Sequence, residues 1–177
     1  LNAASTKWNF MKFSPGIPGG NCIAVDPYYL IHKMKEMGHE LQIVQSSRAI
    51  NNNMSQYIAD KATDTLTGDA QSQHIVLMGI TFKEDVADIR NSKSIDIYNI
   101  LKKAGFKVTV CDPVADKAYA KDVLNIDVKD WKDIEQADSI IISVAHQAFK
   151  QISPEEFADK LNDNASIIDI KALLNKS

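Results

Sequence analysis

Five short apolar runs, HIVLMGI at 74–80, VTVCDP at 108–113, IDVK at 126–129, SIIISVA at 139–145 and SIIDIK at 166–171, are separated by helical patterns. Runs this short and this continuous are read as strands buried on both faces, and strand–helix alternation of this kind closes into a parallel sheet with right-handed crossovers. Between the runs, Ile97, Ile100, Leu101 and Ala104 mark a helix that stops at Gly105, and Ser153-Pro154-Glu155-Glu156 has the form of a capping box with proline at the first helical position. The expected fold is therefore α/β, a Rossmann-like doubly wound parallel sheet, with its ligand crevice at the carboxyl ends of the strands.

The first crossover reads G-I-T-F-K-E-D-V-A-D-I-R, so of the glycines in a dinucleotide fingerprint only Gly79 is present. A sheet without that fingerprint is not expected to bind NAD in the usual way. Asp112 ends the second run where such folds hold a ribose, but without the glycines it is read as a turn residue before Pro113. His146, beyond the fourth run, is read as making a local hydrogen bond.

Ahead of the sheet the pattern is helical. Asp26 suits an N-cap and Pro27 a first helical position, Leu30, Ile31, Met34 and Met37 recur at helical spacing, and Gly38 suits C′, which predicts a helix over 27–37. From 41 to 66 the residues Ile43, Val44, Ile50, Met54, Tyr57, Ile58, Ala62 and Leu66 keep a helical period, closing at Gly68. A helix of that length needs a partner for its apolar stripe.

The loop MKFSPGIPGGNCIAVDP places glycines at 16, 19 and 20 just before Cys22. Glycines let a backbone approach an anion closely, and a following helix N-terminus favours a thiolate. The loop thus combines a nucleophile with a phosphate cradle. Against this stands the commoner fate of a lone cysteine, a small buried apolar residue. Trp8 and Phe10, close by, are read as core residues rather than as a base-stacking pair.

Together with TKWNF at 6–10 and GITFKEDVADIRNS at 79–92, the segment PGIPGGNCIAVDPYYL resembles the nucleotide-sugar 6-dehydrogenases, that is, the UDP-glucose/GDP-mannose dehydrogenase family. The resemblance covers nearly the whole chain. It implies a central helical segment over 1–68, which carries the cysteine loop and dimerises through its long helix, and a UDP-sugar-binding Rossmann-like domain over 69–177. It further implies that Cys22 and Asp26 are catalytic, that Phe13, Pro15, Gly16, Gly19, Gly20, Phe82 and Lys83 contact the nucleotide sugar, and that Arg90 reaches toward NAD. The cysteine would form a thiohemiacetal and then a thioester as the C6 alcohol is oxidised to a carboxylate. NAD itself would be held mainly by an N-terminal domain.

Each role has a competitor in the residues themselves. Asp26 is as well suited to capping as to chemistry, Lys83 to plain solvation, and Arg90 to a salt bridge with Asp85 or Asp88. After the cysteine the chain reads Ile-Ala-Val-Asp-Pro-Tyr-Tyr rather than Phe-Pro-Lys-Asp, which resembles the branch acting on UDP-N-acetylhexosamines, although Asn21 stands where that branch usually has histidine. The implied setting is surface or capsular polysaccharide synthesis. The opening LNAASTKWNF reads as the tail of a helix entering from upstream, so the chain is expected to be a C-terminal piece of a longer protein. The alternative is a non-catalytic UDP-sugar-binding or dimerisation module.

Composition excludes other classes. The 177 residues carry 45% hydrophobic and 24% charged side chains with a formal net charge of −3, so no global basic field exists to hold nucleic acid. No apolar run approaches the ~20 residues of a membrane span, and a cytoplasmic location is the default expectation. Cys22 and Cys111 lack metal-ligand neighbours, so neither a zinc site nor a disulfide framework is expected.

Overall fold

The computed structural model describes residues 2–11, 13 and 16–174. After a 3-10 turn at Ala4–Thr6 the chain runs α1 (Asp26–Glu36), α2 (Gln42–Thr63), β1 (His74–Met78), α3 (Lys93–Lys103), β2 (Lys107–Cys111), α4 (Lys117–Leu124), β3 (Val128–Lys129), β4 (Ala137–Ile142), α5 (Pro154–Ala158) and β5 (Leu161–Asp169). The five strands form one sheet in the order β3-β2-β1-β4-β5, and every pairing is parallel.

Both faces of the sheet are covered, which explains the continuous apolar runs. Along β1, Ile75 and Leu77 enter one core with Ile58, Ala62, Ile97 and Leu101, while Val76 and Met78 enter the other with Ile140, Ile142, Phe149 and Phe157. The first core places α2 and α3 against one face of the sheet. The second lies under α5 and the aromatic pair Trp131–Phe157, whose ring centroids are 5.2 Å apart.

Turn chemistry sets the element ends. Gly38 (φ +80°) follows α1 in a Schellman arrangement, with its N–H on the Lys35 carbonyl and that of His39 on Met34. Gly105 (φ +97°) closes α3, and Ser153 with Glu156 forms the expected capping box.

Four local expectations are corrected. The N-cap of α1 is Val25 rather than Asp26, because the Cys22 carbonyl accepts from both Val25 N–H (3.0 Å) and Asp26 N–H (2.8 Å), which starts the helix one residue early. Asp26 lies in the first turn, still favoured by the helix dipole. The long helix stops at Thr63, where Thr63 Oγ1 bonds back to the Ala59 and Asp60 carbonyls, so Leu66 joins the core from a turn. Residues 2–10 hold only the 3-10 turn instead of a helix tail, and Trp8 is 92% exposed rather than in a core.

Candidate active site

At the carboxyl ends of β1, β4 and β5 lies an open crevice of about 290 Å³. It lies where connections leave β1 and β4 toward opposite edges of the sheet, the position at which open α/β sheets bind ligands. One wall is Gly16–Gly19 with Ile23; the opposite wall is Thr81, Phe82, Lys83 and Glu84 of the loop after β1. The floor is Ser92 and Ser94 at the start of α3, with Ser143 and Val144 after β4, and Lys171 closes the end beyond β5.

Close packing joins the two walls and explains the glycines. The Gly20 N–H donates to the Asn91 carbonyl (3.1 Å), and Asn91 Nδ2 donates to Asn21 Oδ1 (3.0 Å). A Cβ on Gly19 would lie 2.5 Å from the Asn91 oxygen, and one on Gly20, whose φ is +87°, would lie 2.7 Å from the Phe82 ring. The expected Gly16, Gly19, Phe82 and Lys83 therefore meet around one crevice, with Gly20 packed behind the Phe82 ring.

The loop after β1 is held from beneath. Asp112 is fully buried, with Oδ2 accepting from Ile80 N–H (2.7 Å) and Thr81 N–H (3.4 Å) and Oδ1 from Val114 and Ala115 N–H (both 2.8 Å). Burial alone would raise its pKa, but the hydrogen bond from His146 and these backbone donors hold it below the ordinary carboxylate value. Asp112 is thus the anchor of two loops, more than the turn residue expected. His146 is itself fully buried, so it supports the crevice without lining it.

Two cations reach the crevice mouth. Lys83 is exposed, its Nζ 5.5 Å from the centre of the Phe82 ring. Lys171 lies 2.9 Å from Glu84 Oε1 and is three-quarters buried. Burial would raise the Glu84 pKa, but the Lys171 hydrogen bond and charge outweigh it and hold the carboxyl below its usual value. The start of α3 adds the positive end of a helix dipole, Ser92 capping it through Ser94 N–H. Two ammonium groups and a helix N-terminus around one cleft suit a di-anionic ligand such as a diphosphate.

Cys22 is exposed in the turn that leads into α1, one residue before Ile23 of the crevice wall. Of the donors at the α1 start, the Asp26 N–H is taken by the carbonyl of Cys22 itself. Phe13 is 67% exposed, and Pro15 lies outside the described residues. Arg90 is not at the crevice: it forks onto Asp88 through Nε (2.9 Å) and Nη2 (2.7 Å), the salt bridge that competed for it in the sequence. That pairing pulls the Asp88 carboxyl down to about 2.

The crossover does not suit a dinucleotide. Gly79 (φ +88°) is packed against Val144, whose Cβ would be 2.5 Å from a side chain there, and Thr81 and Glu84 stand at the second and third glycine positions of the fingerprint. Among the described residues no His/Cys/Asp/Glu cluster could hold a metal ion, and no helix is long and apolar enough to cross a membrane.

Sequence reasoning missed Lys171 and the anchoring role of Asp112. Both were foreseeable only as residues just past strand ends, since their partners lie far away in the chain.

The UDP binding domain of the UDP-glucose/GDP-mannose dehydrogenase family matches residues 76–176, and the central domain of the same family matches residues 1–53. Protein CapL of Staphylococcus aureus is 39% identical over 178 residues, 99% of this chain and 42% of that protein. The UDP-N-acetyl-D-glucosamine 6-dehydrogenase of Salmonella typhi is 35% identical over 98% of this chain and 42% of its own length. The chain thus spans about two fifths of these relatives. Among solved structures, the UDP-N-acetyl-mannosamine dehydrogenase Cap5O of Staphylococcus aureus superposes with a TM-score of 0.72 at 28% identity, over 99% of this chain and 39% of that one. The UDP-D-ManNAc dehydrogenase of Pyrococcus horikoshii, at 23% identity and a TM-score of 0.79 over 99% of this chain and 40% of that one, shares the fold.

Proposed function

Because the chain belongs to the UDP-glucose/GDP-mannose dehydrogenase family, we propose that it supplies the nucleotide-sugar site and the reacting thiol of an NAD-dependent 6-dehydrogenase for a UDP-N-acetylhexosamine. The observation that carries this reading is the crevice in which Lys83, Lys171 and the start of α3 converge beside the loop of Cys22. The diphosphate lies against the two ammonium groups, and the sugar extends along the Gly16–Gly20 wall toward the thiol. The names of the relatives favour an N-acetylhexosamine, and the names CapL and Cap5O favour a capsular pathway.

This chain's own residues bind and orient the substrate and present a nucleophile. The Cys22 sulfur adds to the C6 aldehyde carbon, forming the S–C bond of a thiohemiacetal while the aldehyde oxygen takes up a proton. At the thioester stage water adds to the acyl carbon, the C–S bond breaks, and the thiol is restored as the carboxylate leaves. Asp26, in the first turn of α1 four residues on, is the proposed proton acceptor for that water. NAD, when bound, would accept the two hydrides lost as the alcohol becomes the aldehyde and the thiohemiacetal the thioester, and it is assigned to residues outside this chain because the crossover here lacks the dinucleotide fingerprint.

The exposed face of α2 supports the relation proposed between protomers. Ile43, Ile50 and Tyr57 recur every seventh residue and are 83%, 66% and 55% exposed, an apolar line that a second copy of the chain would cover. A homodimer through this helix, in a cytoplasmic enzyme, completes the proposal.

Calorimetric titration with the UDP derivatives of N-acetylglucosamine, N-acetylgalactosamine and N-acetylmannosamine, against NAD as comparison, tests it. A UDP-sugar that binds while NAD does not is the expected result. Binding of NAD without any UDP-sugar would overturn the assignment.

A further inference from the structure

Arg48, in the second turn of α2, is 8% exposed, yet no carboxylate pairs with it among the described residues. Its Nε is buried without a hydrogen-bond partner. The rest of the guanidinium is poorly served: Nη2 reaches Asn52 Oδ1 at 3.5 Å, and the group lies 5.7 Å from the centre of the Tyr28 ring. Buried arginines are ordinarily paired, and a buried polar atom without a partner calls for an explanation. No other described side-chain nitrogen or oxygen is in that position.

The guanidinium borders a second cavity of about 220 Å³, separate from the crevice. Its walls are Ala24, Val25 and Tyr28 from the start of α1, Asn52 from α2, and Asn91, Ser92, Lys93 and Asp96 at the start of α3. Lys93 Nζ is tied to Asp96 Oδ2 at 2.8 Å, so those two charges cancel and the charge of Arg48 is left uncompensated. Asn52 Nδ2 donates to Tyr28 Oη (2.8 Å), and its hydrogen bond, followed by Arg48, lowers the phenol pKa. The wall of this cavity therefore already favours negative charge.

We propose that this cavity is a binding site for a small oxyanion, a carboxylate or a phosphate carrying about one negative charge, held by the Arg48 guanidinium with Tyr28 Oη beside it. The outer nitrogens of an arginine match two oxygens of such a group, while Nε itself stays enclosed. The single net positive charge of the walls, with Asp96 in place, sets the ligand charge near one. The site is behind the Cys22 loop: Ala24 and Val25 follow the cysteine directly, and Ser92 separates this cavity from the crevice by lining both. An anion there ties the start of α1 to α2 and α3. Nothing in this inference depends on the nucleotide-sugar reading, because it uses none of the crevice cations.

The test is a titration of the 177-residue chain with sodium acetate and, separately, with inorganic phosphate, at constant ionic strength against chloride. The Arg48 Nε–H resonance is followed by ¹⁵N NMR. A saturable shift of that resonance is expected, lost in Arg48→Met, with acetate and phosphate distinguished by which saturates first. Asp96→Asn is expected to tighten binding roughly tenfold, since it removes a like charge from the wall. Uridine, which carries no phosphate, should leave the resonance unmoved. If Arg48→Met does not fold, Asp96→Asn alone decides, because a water-filled cavity would not respond to it. A linear, unsaturable response, or a Nε–H that exchanges freely with water at every anion concentration, would overturn the proposal.

Discussion

Oδ2 of Asp112 and Nε2 of His146 are 3.2 Å apart, both side chains fully buried, and between them they fix both ends of the loop that carries Phe82 and Lys83. Asp112 takes the Ile80 and Thr81 N–H donors after β1, while His146 Nδ1 accepts from Asp85 N–H at 3.0 Å. An acceptor at Nδ1 puts the proton of the neutral ring on Nε2, facing the carboxylate. The loop is therefore clamped before any ligand arrives.

Asp112→Asn is expected to destabilise the chain by about 3 kcal/mol at neutral pH, because one amide oxygen replaces two that serve four backbone donors. The folded-state pKa of Asp112 lies below its unfolded value. Its contribution is therefore present above the unfolded carboxylate value, about 3.9, and is lost as pH falls through the folded one. Urea unfolding at pH 7 and at pH 3 should show the gap between parent and variant narrowing in acid. A gap of constant size would mean that the carboxylate is not the source.

The two thiols should be chemically unlike. Cys111 is buried, and burial first, then the neighbouring Asp112 charge, push its thiol up to about 12, whereas Cys22 is exposed. Reaction with a disulfide reagent at pH 8 should release one equivalent quickly from the native chain and two after denaturation. Cys22→Ser should abolish the fast equivalent. Two fast equivalents in the native chain would show that β2 opens readily.

The strands and their ends were legible because each depends on neighbours in sequence. The run HIVLM is apolar at every position since both faces of β1 are covered, and Gly38, Gly105 and Ser153 mark ends by local backbone chemistry. Asp26 was misread because the turn before it, closed by the Cys22 carbonyl, carries no distinctive side chain. The period through Leu66 continued past the true helix end because a core contact does not require helical backbone. Lys171 and Arg48 were invisible for another reason: one reaches the crevice only through the position of β5 beside β4, the other is buried only because α1 and α3 fold over it.

Gly20→Ala tests how far the crevice wall depends on its glycines. The residue sits at φ +87° with Phe82 Cδ2 2.7 Å from any added Cβ, so the substitution meets both backbone strain and a ring. A loss of about 2 kcal/mol in stability is expected, of the order known for strained left-handed positions. The ring must move, so nucleotide-sugar affinity should fall as well. Phe82→Leu in the same background, giving the Cβ more room, should recover part of the stability but not the affinity. Full recovery of both would show that the ring is only a spacer.

Lys171→Met separates a ligand-binding lysine from a structural one. The Nζ is 2.9 Å from Glu84 Oε1 and also lines the crevice, so its loss could act through either partner. A charge-assisted bond to a phosphate is worth about 1.5–3 kcal/mol, which corresponds to a roughly ten- to hundredfold weaker affinity for UDP. The companion variant Glu84→Gln resolves the ambiguity, because it breaks the same ion pair while leaving the ammonium in place. If Lys171 contacts the diphosphate, Glu84→Gln should bind UDP as tightly as the parent or more tightly, and the dependence of affinity on salt should weaken only in Lys171→Met. Equal losses in the two variants would instead show that the pair acts by holding the loop of Phe82 and Lys83 against the end of β5.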